Sequence, residues 1–261
     1  MGEGAARATV VIPARYGSTR FPGKPLVSLL GKPLIQHVYE RVSTAPGVHR
    51  VVVGTDDERI RDAVRGFGGE AVLMPEPYRT GTDRVAALAG QLDGDLFVNL
   101  QGDEIPLHPS LLTDLITPFA SSGEGMGTLK RRLGSDEPLT NAGIVKVVTD
   151  VEGHALYFSR APIPLVRDAQ PGTTFAGLHF IHLGVYIFRR ETLRRFAELP
   201  TGRLEDAEKL EQLRALEQGI PIRVWETAYP SLRIDAPEDV PNAERALRSA
   251  APAPAFQPAG G

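Results

Sequence analysis

The sequence of 261 residues contains no cysteine, so disulfide bonds, thiolate metal sites and cysteine nucleophiles are all excluded. It also contains no apolar run of about 18 residues, the length that a membrane-spanning helix needs. Its first residues, Met-Gly-Glu-Gly-Ala-Ala-Arg, lack the apolar core of a signal peptide. We therefore expect a cytoplasmic protein with no membrane partner.

A surplus of positive charge is also missing. Lysine and arginine total 29 and aspartate and glutamate total 32, which gives a net charge of −3 at pH 7. Since no global field attracts polyanions, we expect no nucleic-acid partner, and any anion site must be built locally. The length allows one large domain or two small ones. We predict a single domain over residues 8–248, followed by a flexible tail at 249–261 that is rich in alanine and proline.

Hydrophobic periodicity indicates the fold class. Short β-branched runs, beginning at residues 10–12, alternate with segments whose apolar residues recur every three to four positions. This alternation is typical of parallel βαβ units, so we predict an α/β protein with a mostly parallel sheet. From about 125 to 188 the rhythm changes to a hairpin pattern, which predicts a smaller antiparallel insertion. Residues 205–218 are predicted to form one helix.

The loop after the first predicted strand carries three cations. Arg15, Arg20 and Lys24 lie within ten residues, and Gly17 and Gly23 separate them. Glycine lets main-chain N–H groups approach a ligand closely, and lysine and arginine suit phosphate oxygens. The loop therefore favours a polyanion site, with a solvated basic loop as the alternative.

Two aspartates follow predicted strands elsewhere in the chain. Asp103 comes directly after the apolar strand at 96–100, and Asp235 follows Leu-Arg-Ile. Because ligands of parallel sheets bind beyond the carboxyl ends of the strands, this pair can hold one Mg²⁺. For Asp235 the alternative is a helix cap, since Pro237 and Glu238 suit a first helical turn.

Seven segments together resemble a known family. They are Val-Val-Ile-Pro-Ala-Arg-Tyr-Gly-Ser-Thr-Arg-Phe-Pro-Gly-Lys-Pro-Leu, Thr-Gly-Thr-Asp-Arg, Val-Asn-Leu-Gln-Gly-Asp-Glu, Ala-Leu-Tyr-Phe-Ser-Arg-Ala-Pro-Ile-Pro, His-Leu-Gly-Val-Tyr, Leu-Glu-Gln-Leu-Arg and Ile-Asp-Ala-Pro-Glu-Asp-Val. In this order, over about residues 9–246, they are similar to 3-deoxy-manno-octulosonate (Kdo) cytidylyltransferases.

The resemblance implies a Rossmann-like nucleotidyltransferase sheet and a defined reaction. CMP would pass from CTP to the anomeric hydroxyl of Kdo with release of pyrophosphate, for lipopolysaccharide biosynthesis. The resemblance further implies Mg²⁺ as cofactor and a homodimer, with the sugar site and the dimer contact in the insertion at 125–188.

The resemblance also implies the site residues. The catalytic residues would be Arg15, Lys24, Asp103 and Asp235, with Mg²⁺ held by the two aspartates. The nucleotide would be bound by Arg15, Ser18, Lys24, Arg79, Thr80 and Gln101, and the sugar by Gln101, Arg160, His182, Tyr186, Glu211 and Gln212.

Other interpretations stay open at this point. Taken alone, Arg160 fits a surface arginine, His182 a strand histidine, and Glu211 with Gln212 a solvated helix face. The acceptor could be another acidic sugar, such as 8-amino-Kdo or a sialic-acid-like compound. A dinucleotide-binding oxidoreductase is disfavoured because the first loop lacks Gly-x-Gly-x-x-Gly, and a non-catalytic nucleotide-binding protein is disfavoured by the two aspartates.

Overall fold

The computed structural model describes residues 7–17, 21–134, 137–168 and 177–250. Within these ranges the strands are β1 (Ala8–Ala14), β2 (Ser28–Leu29), β3 (Lys32–Pro33), β4 (Val48–Thr55), β5 (Glu70–Leu73), β6 (Leu96–Leu100), β7 (Glu104–Pro106), β8 (Met126–Arg132), β9 (Lys146–Thr149), β10 (Ala155–Ser159), β11 (Phe180–Arg189), β12 (Arg223–Glu226) and β13 (Ser231–Arg233). The helices are α1 (Leu34–Ser43), α2 (Glu58–Gly66), α3 (Gly81–Ala89), α4 (Ser110–Ser122), α5 (Arg190–Glu198), α6 (Arg203–Glu208), α7 (Leu213–Glu217) and α8 (Val240–Ser249).

The central sheet has nine strands within the described ranges. From one edge, β5, β4, β1 and β6 pair in parallel, and β11 then pairs antiparallel with β6. On the other side of β11 lie β8, which is antiparallel to it, and β12, which is parallel to β8. The hairpin of β9 and β10 extends the sheet beside the start of β11. The predicted α/β class with a mostly parallel sheet is therefore confirmed.

The segment at 125–188 contributes more to the central sheet than the hairpin pattern indicates. Its strands β8 and β11 form part of that sheet, and β11 pairs with β6 over five residues. Only β9 and β10 form the antiparallel hairpin that the sequence predicts there. The sugar-binding and dimer roles of this segment stay predictions.

The prediction of a single helix at 205–218 is wrong. The structure has two short helices, α6 and α7, and Lys209 between them has a φ of 51°. A left-handed residue ends an α-helix, and an apolar period cannot indicate that a lysine adopts this conformation. The break places Glu211 and Gln212 in a connection rather than on a continuous helix face.

Two apolar layers cover the sheet. One side packs against α1, α4 and α8, and the other against α3, α5 and α7. All seven residues of β1 are buried, because helices cover both faces of a parallel strand. None of the helices in the described ranges has the length and apolar character needed to cross a membrane.

Candidate active site

Two adjoining cavities lie at the carboxyl ends of β1 and β6. The first cavity, of about 260 Å³, contains Lys24 and Asp103 and is bounded by the residues that follow β1, β6 and β13. The second cavity, of about 280 Å³, lies beside β11 and the connection between α6 and α7. Gln101 and Arg233 line both, so the two cavities meet at these side chains.

Lys24 is the less exposed of the two predicted phosphate-binding cations in the first cavity. Its Nζ donates to Asp103 Oδ2 at 2.5 Å, and its side chain is 12% exposed. Gly23 presents it through a turn with a φ of 70°, where a Cβ would lie 3.1 Å from the Tyr16 ring. Arg15, exposed at the end of β1, lines the same cavity. The structure thus brings Arg15 and Lys24 together.

Asp235 reaches the same cavity through the pairing of β13 with β7. The main-chain N–H of Ile234 donates to the Asp103 carbonyl at 3.1 Å, which places the two aspartates on adjacent segments. Asp239, rather than Asp235, caps the following turn: its Oδ2 accepts from the N–H groups of residues 235 and 236 at 2.8 and 2.9 Å. The helix-cap interpretation of Asp235 is therefore wrong. Its carboxylate instead pairs with Arg233 Nε at 3.1 Å.

The donor chemistry of the first cavity fits Mg²⁺. Asp103 and Asp235 supply two carboxylates to one polar cavity. No group of three or more histidine, cysteine, aspartate or glutamate side chains suited to a metal occurs in the described part of the chain. Mg²⁺ is usually held by one or two carboxylates, with phosphate oxygens and water completing its shell. Two carboxylates beside two cations are therefore the set expected for a metal that arrives with a phosphorylated ligand.

A chain of hydrogen bonds supports the second cavity. Gln101 Nε2 donates to Asn99 Oδ1 at 3.1 Å, and Asn99 Nδ2 donates to Thr82 Oγ1 at 2.9 Å. Thr82 Oγ1 in turn donates to Glu211 Oε2 at 2.9 Å. Burial raises the pKa of Glu211, although hydrogen bonds from threonine hydroxyls oppose the shift. Glu211 Oε1 is buried and has no hydrogen-bond partner within the described ranges, so it can accept from a ligand hydroxyl.

Three more predicted sugar-binding residues line this cavity. Gln212 is 4% exposed, and its Nε2 has no hydrogen-bond partner among the residues described. His182 Nε2 lies 3.0 Å from Thr128 Oγ1, and burial, together with the charge of Arg233, lowers the pKa of His182 to about 3. Burial raises the pKa of Tyr186 well above its usual value. Both rings are therefore neutral near pH 7, and the wall they form is polar without carrying charge.

Arg160 lies at the rim of the second cavity. Its guanidinium donates to the carbonyls of Ala142, Glu208 and Lys209 at 2.9, 2.8 and 3.4 Å. An arginine has five N–H donors, so this anchoring leaves donors for an anionic ligand. Arg160 lines the cavity with Glu211 and Gln212, as the resemblance implies, and its contact with the sugar stays a prediction.

Comparison with known proteins decides the family. The family model described as cytidylyltransferase matches residues 9–224, most of the chain. The chain belongs to the cytidylyltransferase family. A 3-deoxy-manno-octulosonate cytidylyltransferase from Geobacter sulfurreducens is 48% identical over 239 residues, which cover 89% of this chain and 96% of the relative. An 8-amino-3,8-dideoxy-manno-octulosonate cytidylyltransferase from Shewanella piezotolerans is 49% identical over 237 residues, covering 89% and 95%.

Solved structures are consistent with membership of the cytidylyltransferase family. The structure of CMP:2-keto-3-deoxy-manno-octonic acid synthetase complexed with CTP is 38% identical with a TM-score of 0.82, and covers 93% of this chain and 99% of that chain. The inositol-1-phosphate CTP transferase from T. maritima has a TM-score of 0.65 at 14% identity, covering 95% and 97%. At this low identity, the similarity to the inositol-1-phosphate CTP transferase shows a shared fold and nothing about function.

Two predicted nucleotide-binding residues of this cytidylyltransferase do not line either cavity, although the Thr80 hydroxyl interacts with Glu211, which lines the second. Arg79 pairs with Asp83 at 3.0 Å and donates to the Ala197 carbonyl at 2.9 Å. Thr80 caps α3, since its Oγ1 accepts from the Asp83 N–H at 3.1 Å. Neither is among the residues that line the cavities, so their nucleotide contacts stay predictions. Ser18 lies outside the described residues.

Among the charged residues of this site that sequence reasoning missed are Arg233 and Glu104. Arg233 lines both cavities, and Glu104 lies in the second, where it accepts from Ser231 Oγ at 2.6 Å. Burial raises the pKa of Glu104. Both residues lie on the β7–β13 pair, whose strands are three residues long and more than a hundred residues apart in the chain. The one sequence feature that could have indicated their place in the site is their proximity in the chain to Asp103 and Asp235.

Proposed function

We propose that this enzyme transfers CMP from CTP to the anomeric hydroxyl of Kdo and releases pyrophosphate, which supplies an activated sugar for lipopolysaccharide biosynthesis. The observation that carries the proposal is the junction of two unlike cavities at Gln101 and Arg233. One holds cations and two carboxylates, as a metal–triphosphate complex requires. The other combines hydrogen-bonding groups such as His182 and Tyr186 with the cation Arg160, as an acidic polyol requires. Relatives named for this reaction are about half identical to the chain.

The triphosphate would occupy the first cavity. Arg15 and Lys24 would bind its phosphate oxygens, because a forked guanidinium and a compact ammonium both neutralise phosphate charge. Asp103 and Asp235 would hold Mg²⁺. When bound there, this ion supplies charge neutralisation and lowers the pKa of the attacking hydroxyl. Arg79, Thr80 and Ser18 remain proposed nucleotide contacts.

The sugar would occupy the second cavity. Arg160 would bind its carboxylate, and Gln101, His182, Tyr186, Glu211 and Gln212 would bind its hydroxyls. The anomeric oxygen would then attack the α-phosphorus in line. The new oxygen–phosphorus bond forms as the bond to pyrophosphate breaks, pyrophosphate keeps the electron pair, and the hydroxyl proton passes from the sugar to solvent water. Holding both reactants at one junction supplies most of the catalysis expected for such a transfer.

A panel of acidic sugars tests the acceptor. Pyrophosphate release from CTP is measured with Kdo, 8-amino-Kdo and N-acetylneuraminate at matched concentrations, and kcat/KM is compared. The proposal expects the highest kcat/KM with Kdo. The second candidate is 8-amino-Kdo, which the relative from Shewanella piezotolerans favours. A strong preference for 8-amino-Kdo or N-acetylneuraminate would overturn the choice of Kdo.

We further propose that the enzyme is a homodimer in the cytoplasm, where CTP is available. The hairpin of β9 and β10 ends in an edge strand, and the surrounding segment exposes Val151, Leu156 and Leu165. Apolar side chains beside a strand edge with which no other strand of the described ranges pairs suit a symmetric contact between copies. Sedimentation analysis of the wild type and of Leu156→Glu tests the proposal. A dimer that dissociates in the variant supports the contact, and a monomeric wild type contradicts the dimer.

A further inference from the structure

Arg233 occupies the place where the proposed reaction must happen. The α-phosphoryl group starts on the nucleotide in the first cavity and ends on the sugar in the second. The bond between them can form only where the cavities meet. Gln101 and Arg233 line both cavities, and of the two Arg233 is the cation.

The pairing of strands holds Arg233 at this junction. It lies at the end of β13, opposite Glu104 of β7, and its Nε is 3.1 Å from an Asp235 carboxylate oxygen. Its side chain is 56% exposed, so the guanidinium can move toward either cavity. A guanidinium stays protonated in proteins, so Arg233 is a permanent cation at this junction.

Each carboxylate assigned to the metal already has a cationic partner. Lys24 pairs with Asp103, and Arg233 pairs with Asp235. A divalent cation that binds both aspartates weakens both ion pairs, because a carboxylate bound to Mg²⁺ is a weaker partner for an ammonium or guanidinium group, and it favours release of the two cations. The displaced cations then face the phosphates that arrive with the metal.

We propose that Arg233 leaves Asp235 when the metal–nucleotide complex binds and that its guanidinium contacts the α-phosphoryl oxygens during transfer. This inference rests on the proposed function. An arginine at that place stabilises the negative charge that spreads over the phosphoryl oxygens in the transition state. The carboxylate of the sugar is a second possible anion for Arg233. Arg160 already serves that carboxylate in the proposed function, so the phosphoryl group is the partner assigned to Arg233.

Steady-state kinetics with Arg233→Gln and Arg233→Lys test the contact. We expect kcat to fall on the order of 10²-fold in the glutamine variant, with the KM for Kdo within about twofold of wild type. Lysine should restore part of kcat, since it keeps the charge but not the fork. The control is Arg194→Gln, whose arginine forms an exposed pair with Glu198 away from both cavities, and it should keep wild-type kinetics. An unchanged kcat in Arg233→Gln, or a raised KM for Kdo with kcat kept, would overturn the proposal.

A binding measurement separates this inference from the proposed sugar. Mn²⁺ is titrated into the nucleotide-free protein and its affinity is followed by electron paramagnetic resonance. Because Arg233→Gln frees Asp235 of its cation, we expect Mn²⁺ to bind roughly two- to fivefold more tightly than in the wild type, and Arg194→Gln to bind it as the wild type does. Equal Mn²⁺ affinity in Arg233→Gln and the wild type would contradict the proposal that Arg233 leaves Asp235 when the metal binds. If the wild type is inactive with Kdo but the variant and the wild type still differ in Mn²⁺ affinity, the proposed sugar is wrong and the proposal for Arg233 stands.

Discussion

Lys24 Nζ lies 2.5 Å from Asp103 Oδ2, so the cation predicted for phosphate and the carboxylate predicted for metal are in direct contact. The same Nζ donates to the Ile234 carbonyl at 2.9 Å, next to Asp235. One ammonium group therefore ties the loop after β1 to both segments that carry the aspartates. The first cavity is held in place by its own charged groups before any ligand binds.

Replacing Asp103 by asparagine tests the metal assignment. Asp103→Asn keeps the side-chain shape and an oxygen for Lys24, so the unfolding temperature should stay close to that of the wild type. Pyrophosphate release should fall by at least about 10²-fold, because one of two anionic metal ligands is lost. Asp62→Asn, at an exposed aspartate paired with Arg61, is the matched control and should remain fully active. Wild-type turnover in Asp103→Asn would refute the assignment.

The hydrogen-bond chain behind the second cavity makes Thr82 a test residue. Thr82→Val removes the hydroxyl that joins Asn99 to Glu211, so two buried polar groups lose a partner. We expect a loss of about 1–3 kcal/mol in unfolding free energy and a raised KM for the sugar, with the KM for CTP little changed. Urea denaturation and steady-state kinetics measure both effects. Thr82→Ser retains the hydroxyl and should keep the wild-type KM, and equal KM values in all three proteins would contradict the role of Glu211.

The ion pair of Glu205 with Arg214 predicts a stability effect. Arg214 is 1% exposed, and its Nε and Nη2 donate to Glu205 at 2.8 and 2.6 Å. Glu205→Gln removes the carboxylate that accepts both hydrogen bonds and leaves Asp83, 4.0 Å from Nη1, as the remaining ion-pair partner. We therefore expect a loss of about 3 kcal/mol in unfolding free energy, the lower end of the range for a broken buried pair. Glu198→Gln breaks an exposed pair with Arg194 and should cost less than about 1 kcal/mol. Similar losses in the two variants would show that the burial of Arg214 carries no such penalty.

His182 predicts a dependence of stability on pH. Its pKa is about 3 in the folded protein because burial and the charge of Arg233 disfavour the imidazolium, whereas an unfolded histidine has a pKa of about 6.5. Between these values the unfolded chain binds the extra proton, so the contribution of His182 to stability is full above about pH 6.5 and falls as the pH drops.

The measurement for His182 is a comparison with His182→Gln. Below pH 6.5 the free energy of unfolding of the wild type, relative to the variant, should decrease by about 1.4 kcal/mol per pH unit. Above pH 7.5 the two stability curves should run parallel. Parallel curves from pH 7.5 down to pH 5 would show that His182 is not held neutral by the fold.

Local patterns in the sequence predict the parts of the fold whose signals lie close together in the chain. The buried strands β1 and β6 are of this kind, since apolar runs act over a few positions. The strand β8 was not predicted, because its last three residues are Lys-Arg-Arg and its pairing partner β11 begins about fifty residues later. Only the assembled sheet shows that these two strands belong together.

The residues of the site also divide into those that local sequence predicts and those that it does not. Asp103 follows a buried strand, so its place at the sheet edge could be predicted from the chain. Arg233 could not, because it reaches the junction through the pairing of β13 with β7. The inward position of Gln212 depends on the break after α6, which no periodicity indicates. Tertiary pairing brings Arg233 and Glu104 to the site, and no sequence signal beyond their proximity to the two aspartates marks them.

Pyrophosphate release from CTP, measured with and without Kdo and with and without Mg²⁺, tests the central claim most directly. The account predicts rapid release only when CTP, Kdo and Mg²⁺ are all present, with stoichiometric formation of CMP-Kdo. Removal of the metal by EDTA should stop the reaction, and added Mg²⁺ should restore it. No release with all three present, or equal release when Kdo is omitted, would contradict the account.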